Sequence, residues 1–197
     1  MKVYFLQRLI AYLIDFFIVF CIVTLFTFFV PTTNKYSDAV KENRDINKLY
    51  SNNEITKEEY IERYVESNYI IAKESYIVSF INLVVLTGYF GTYAYNCNGQ
   101  TFGKKIMKFR LRGKGGEGLS HRNLIIRTII CHGVINSALS LMALPFVNAN
   151  QYFQLTGIFN GLYTLFLIIS VFMIIFRNDD KGIHDVLCNT EVIGVYK

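Results

Sequence analysis

The 197-residue chain is 52% hydrophobic, lacks tryptophan, and carries a formal charge of +5. A mean hydropathy of +0.31 with repeated long apolar runs excludes an ordinary soluble domain and indicates a small polytopic membrane protein. Cys21, Cys97, Cys131 and Cys188 are scattered with no CxxC or His/Cys cluster, so neither a disulfide framework nor a metal site is supported. In such a chain the positive charge reports orientation in the bilayer, not a nucleic-acid partner.

Residues 9–30 hold a single charge, Asp15, and are long enough at about 1.5 Å per residue to cross a hydrocarbon core of roughly 30 Å. An aspartate at mid-helix costs about 2.5–3.5 kcal/mol on insertion scales, so it is expected to face a partner helix or a watery cavity. Arg8 lies two turns earlier and makes an axial stripe with Ala11 and Asp15. The run exceeds a signal-peptide h-region, and Phe28-Phe29-Val30-Pro31-Thr32-Thr33 lacks a small-residue cleavage site, so it reads as an uncleaved first helix.

Residues 31–75 form a polar extracytoplasmic insertion with nine acidic and seven basic residues. Thr56 with Glu59 fits a capping box, Ile55 and Tyr60 a hydrophobic staple, and Ile61, Tyr64 and Val65 fall on one stripe, which predicts an amphipathic helix. A second span is expected over residues 76–95, with Gly88/Thr92 and Thr87/Gly91 allowing close helix approach.

The loop over residues 96–122 has seven basic residues against Glu117 alone, which makes it cytoplasmic by the positive-inside rule. Gly103-Lys104 is not a P-loop: Asn98 stands where that motif needs its first glycine, and Lys105 replaces the magnesium-binding hydroxyl. Residues 101–108 instead read as a short interfacial amphipathic helix. Its Phe102, Ile106 and Phe109 would dip into the bilayer while Lys104, Lys105 and Lys108 meet anionic lipid headgroups. Alternation from Lys108 to Arg112 predicts a strand, followed by a turn through residues 113–118.

A third span is expected over residues 123–147, where Arg127 enters from the same side as Arg8 and is the best-placed cation for Asp15. A fourth, over residues 155–176, contains Gly157 and Gly161 as a packing contact. In the tail, residues 177–197, Val192, Ile193 and Val195 form the other strand candidate and should pair antiparallel with Lys108–Arg112. The expected fold is therefore an all-α membrane protein, one domain over residues 1–197. It has four transmembrane helices, a short cytoplasmic amphipathic helix, a small two-stranded ladder and both termini cytoplasmic, which implies a multi-pass protein of the cell membrane.

Three separated segments resemble the RDD family of small membrane proteins, named for one arginine and two aspartates. They are Arg8-x-x-Ala11-x-x-Ile14-Asp15, Gly99-Gln100-Thr101-x-Gly103-Lys104, and His184-Asp185-x-Leu187-x-x-Thr190. Arg127 also stands where family members often carry an arginine in the third helix. The resemblance extends over nearly the whole chain except residues 34–75. It implies transport of ligands that are mostly undefined, with cation/proton antiport proposed for some members.

Arg8, Asp15, Arg127, His184 and Asp185 all map to the cytoplasmic half of the bundle. As an ion, proton or substrate site, Asp15 would be the exchanging carboxylate, Arg8 and Arg127 would tune it, and Asp185 would guard the mouth. As a purely structural set, the acids would clamp the arginines and lock the tail. Transport of a monovalent cation against protons by four spans requires a homo-oligomer; the alternative is a non-transporting complex subunit or assembly factor. An enzyme is not expected, because no nucleophile motif, cofactor motif or metal spacing accompanies His184-Asp185.

Overall fold

A computed structural model describes residues 3–195; the expected tail extends past these to Tyr196 and Lys197, which lie outside the described residues, as do Met1 and Lys2. Helix α1, Phe5–Thr27, has no internal glycine or proline and buries only the four-spaced stripe Ala11, Asp15 and Val19. Its other faces present Leu13, Phe16, Phe17 and Phe20 outward, as suits a helix solvated by lipid.

The polar insertion contains two helices where the sequence predicts one. α2, Asn34–Ser51, and α3, Lys57–Glu74, form an antiparallel hairpin joined by Arg63 to Glu42 at 2.5 Å, Asn43 to Ser67 at 3.1 Å and Tyr60 to Asn47 at 3.1 Å. α2 buries only Ala39 and Ile46, too few apolar positions to reveal its period. Thr56 accepts the Glu59 N–H at 3.2 Å, but the Glu59 carboxylate turns to Arg63, so the expected capping box is half made. Ile61, expected on the buried stripe, is exposed, while Val65 is buried.

α4, Tyr76–Thr87, runs through a π-helical turn, Gly88–Tyr93, into α5, Ala94–Asn96, giving a 21-residue span. The wider turn inserts an extra residue per turn; within it Phe90 and Gly91 are buried. Gly91 approaches Ile125 and Thr128 closely enough that an added Cβ would lie 3.6 and 3.8 Å from them. Gly88, expected at a helix contact, has open space beside it.

The third span is broken. α7, His121–Cys131, and α8, Val134–Ala143, meet at 67°, because Gly133 adopts the left-handed region at φ 67°. The Tyr163 hydroxyl donates to the Cys131 carbonyl at 2.8 Å, satisfying a group that the break releases. α9, Ala149–Phe176, starts before the expected residue 155 because Asn148 and Gln151 cap each other reciprocally at 3.0 and 3.3 Å. Gly157 and Gly161 are exposed with nothing near their Cβ positions, so the expected GxxxG contact is not made within this chain. Three helices are thus long and apolar enough to cross a membrane, and the bent α7–α8 pair makes up to a fourth.

The polar end of the bundle is closed by α6, Phe102–Ile106, β1, Phe109–Gly113, α10, Ile183–Leu187, and β2, Thr190–Gly194. The strands pair antiparallel, as expected, with Leu111 opposite Val192. Phe109 does not enter the bilayer: it is buried against Val3 and Ala11, inside the closure. α6 presses on α1 so tightly that a Cβ on Gly103 would sit 2.2 Å from the Ala11 carbonyl and 2.9 Å from the Asp15 carboxyl carbon. Gly103→Ala should therefore destabilise the protein by about 1–3 kcal/mol or more, read as a lowered thermal midpoint in detergent. Gly118→Ala, which meets nothing within 4 Å, should leave it unchanged.

Candidate functional site

The carboxylate of Asp15 is fully buried in the apolar part of α1, and an unpartnered charge there would be costly. Its Oδ1 accepts the Tyr89 hydroxyl at 2.7 Å and the Gly103 N–H at 2.7 Å, while Oδ2 accepts the Thr101 hydroxyl in a short contact. Among the described residues it forms no ion pair. Arg127 is therefore not its partner, contrary to the sequence expectation: neutral donors from the π-helical turn and α6 occupy the carboxylate first.

Arg127 belongs to the second aspartate. Its guanidinium makes a short contact with Asp185 Oδ1 and donates to the Thr190 hydroxyl at 2.8 Å. Asp185 Oδ2 accepts the Gly182 N–H at 3.1 Å and lies 3.6 Å from Arg8 Nη1 and 3.4 Å from His184 Nε2. His184 Nδ1 and Ser170 Oγ are 2.8 Å apart, which ties α10 to α9. One carboxylate thus gathers α1, α7, α9 and the tail. Both the structural and the functional expectation gathered Arg8, Asp15, Arg127, His184 and Asp185 into one cluster; the structure joins Arg8, Arg127, His184 and Asp185 and leaves Asp15 apart from their ion network.

The electrostatics follow the geometry. Burial alone would raise the Asp185 carboxyl, but Arg127, His184 and Arg8 outweigh it and hold it at about 2. Burial, reinforced by Arg127, pushes His184 down to about 3, so its imidazole is neutral at physiological pH.

Beside this network is a cavity of about 310 Å³, lined on its polar side by Arg8, Asp15, Lys104, Arg127, His132 and His184. That volume is at the lower end for small-ligand sites, roughly 300–1,000 Å³. The His132 ring stacks on Phe90 at 3.6 Å between centroids and on Tyr12 at 5.8 Å. Lys104 turns into the cavity and is half-buried, whereas Lys105 and Lys108, expected beside it at the membrane surface, are exposed. The reason is Gly103, which pins α6 to α1 and leaves the next side chain facing inward. Burial, then the nearby Arg127, lower the Lys104 ammonium to about 8.

Tyr89, Thr101, Gly103, Ser170 and Thr190 complete the site without having been singled out as site residues. Thr101, Gly103 and Thr190 stand in the segments that resemble a family pattern, and Ser170 is a hydroxyl in an apolar span, so each carried a signal. Tyr89 carried none, because its reach depends on the π-helical turn.

Replacing Arg127 by alanine should cost about 3–5 kcal/mol, by leaving Asp185 buried without its main cation. In a double-mutant cycle Arg127→Ala and Asp185→Asn should couple by roughly 0.5–3 kcal/mol, whereas Arg127→Ala and Asp15→Asn should add within about 0.5 kcal/mol. Equilibrium unfolding in detergent measures both.

Searches of curated proteins and of solved structures gave no match to the chain. The model of the RDD family matches residues 3–189, a region that includes Arg8, Asp15 and Asp185 and nearly the whole described fold. The chain belongs to the RDD family.

Proposed function

We propose that this protein is a small carrier of the cell membrane, working as a homo-oligomer, with four crossings and both termini in the cytoplasm. The basic loop over residues 96–122 supports that orientation, and the bent α7–α8 pair supplies the fourth crossing. The observation that carries the proposal is the cavity at the polar end of the bundle, where apolar walls meet the Arg8–Asp185–Arg127 network. Ionisable groups at such a position are characteristic of solute and ion pathways.

In the exchange form of this function, the working carboxylate is Asp185, not Asp15. Asp15 cannot exchange a proton or cation without releasing α6, since all three of its donors come from the elements it anchors. Asp185 is held ionised by Arg127, while its burial favours the neutral acid; drawing Arg127 away makes the acid protonatable and loosens the tail at the same time. That couples proton uptake to opening of the cytoplasmic closure.

A second reading, a complex subunit or assembly factor, is favoured by the α2–α3 hairpin, whose open groove is lined by Lys35, Glu42, Arg63, Lys73 and Glu74. Charges of both signs there suit a polar protein partner.

Proteoliposomes loaded with a pH-sensitive dye and given a sodium or potassium gradient separate the two. Exchange predicts proton movement in the wild type, its loss in Asp185→Asn, and its retention in Arg110→Gln, an exposed residue of β1. No proton movement with either cation contradicts exchange and leaves the hairpin as the functional surface.

A further inference from the structure

Two cationic hydrogen-bond donors at the cavity lack acceptors among the described residues. Arg8 Nε is buried with no hydrogen-bond partner there, as is His132 Nδ1 on the same cavity, a ring nitrogen that donates or accepts according to its tautomer. Lys104, on the same cavity, makes no hydrogen bond or ion pair among the described residues. The acids nearby do not take them up: Asp15 accepts three other donors, Asp185 is engaged by Arg127 and the Gly182 N–H with Arg8 Nη1 at 3.6 Å, and Asp180 adds a further negative charge near Arg8. Leaving the buried Arg8 Nε unmade is expensive, Lys104 adds an unpaired charge beside it, and a cation would bring no acceptor and meet three like charges. An oxyanion answers both needs. A guanidinium fork and a point-charge ammonium, approaching from different elements, match the several oxygens of a phosphate.

The rest of the cavity indicates what carries that anion. α1 packs on α4 and α6, and α9 packs on α3, α8 and α10, but no comparable packing joins α1 to α9. The cavity lies along that gap: Leu9 of α1 and Val171 of α9 line it and are also exposed at 38% and 36%, on faces that suit acyl chains. A soluble anion would gain nothing from such walls, whereas an amphiphile buries its tail there.

We propose that the cavity between α1 and α9 binds the phosphate head of an anionic amphiphile on Arg8 and Lys104, with the apolar tail leaving to the bilayer past Leu9 and Val171. The proposal rests on the cavity being the ligand-handling site, and it does not require that anything cross the membrane. Lys104 supports it electrostatically: burial and Arg127 disfavour its charge, and an anion seated between them reverses that disadvantage.

The test is native mass spectrometry of the full chain in a neutral detergent, titrated with phosphatidylglycerol, phosphatidylcholine or inorganic phosphate. One phosphatidylglycerol per chain should be retained, and phosphatidylcholine should not. Lys104→Gln should weaken retention roughly tenfold, the cost of one charge-assisted contact, and Arg110→Gln should not change it. Lys104 holds no other element in place, so this variant should keep the wild-type melting profile. Arg8→Lys, which preserves charge but not the fork, should weaken retention without a lost fold. Equal retention by wild type and folded Lys104→Gln overturns the site. Retention of phosphatidylcholine as well, or of inorganic phosphate alone, overturns the anionic amphiphile as ligand. A wild type that retains phosphatidylglycerol but moves no protons upholds this site against the carrier function, and one that moves protons but retains no lipid does the reverse.

Discussion

A carboxyl group inside an apolar helix must have its oxygens occupied, and Asp15 meets that constraint with three donors that α1 cannot itself provide. The Tyr89 hydroxyl comes from the π-helical turn, and the Thr101 hydroxyl and Gly103 N–H come from the segment beyond it. To deliver them, the chain must fold back onto α1 after the second span. That return is tolerated only because residue 103 has no side chain to strike the Ala11 carbonyl. Placing α6 there sets β1 beneath the bundle, where Phe109 packs on Val3 and Ala11, and it turns Lys104 inward. Much of the polar end therefore descends from satisfying one carboxylate.

The second carboxylate does a different job. Asp185 accepts from a guanidinium of α7, lies near one of α1, and sits on a short helix that His184 ties to Ser170 of α9. Breaking such a buried pair is costly, though the pair need not stabilise the fold relative to an apolar substitute. What it does is hold α1, α7, α9 and the tail in one arrangement. Asp15 anchors α6, whereas the proposed exchange assigns the responding charge to Asp185. The cavity is lined by Asp15 and lies beside the Asp185 network, with more donors than these acids accept, and the proposed ligand site rests on that imbalance.

Much of this arrangement was legible in the sequence. The apolar runs located three helices, and the alternation of residues 108–112 with the valines of the tail predicted the β1–β2 pairing found. Depth along the helices pairs Asp15 with Arg127, but nothing in the sequence shows that hydroxyls and an amide reach the acid first. The break in the third span turns on Gly133, which a hydropathy average passes over because the residues on both sides remain apolar. α2 escaped notice because its two buried positions, Ala39 and Ile46, do not make a visible period. Lys104 and Lys105 are adjacent and alike in sequence; only the docking of Gly103 on α1 makes one line a cavity and the other face solvent.

Asp15 holds α6 against α1 through the donors that α6 and its N-terminal threonine supply. Amide hydrogen exchange at Gly103, whose N–H donates to Asp15 Oδ1 at 2.7 Å, tests this anchoring most directly, with wild type compared to Asp15→Ala in the same detergent. Exchange at Gly103 should be slow in the wild type and fast across residues 102–106 in the variant, with α9 still protected. Equal protection of Gly103 in both proteins would contradict the anchoring, and would return Asp15 to the role of a free carboxylate.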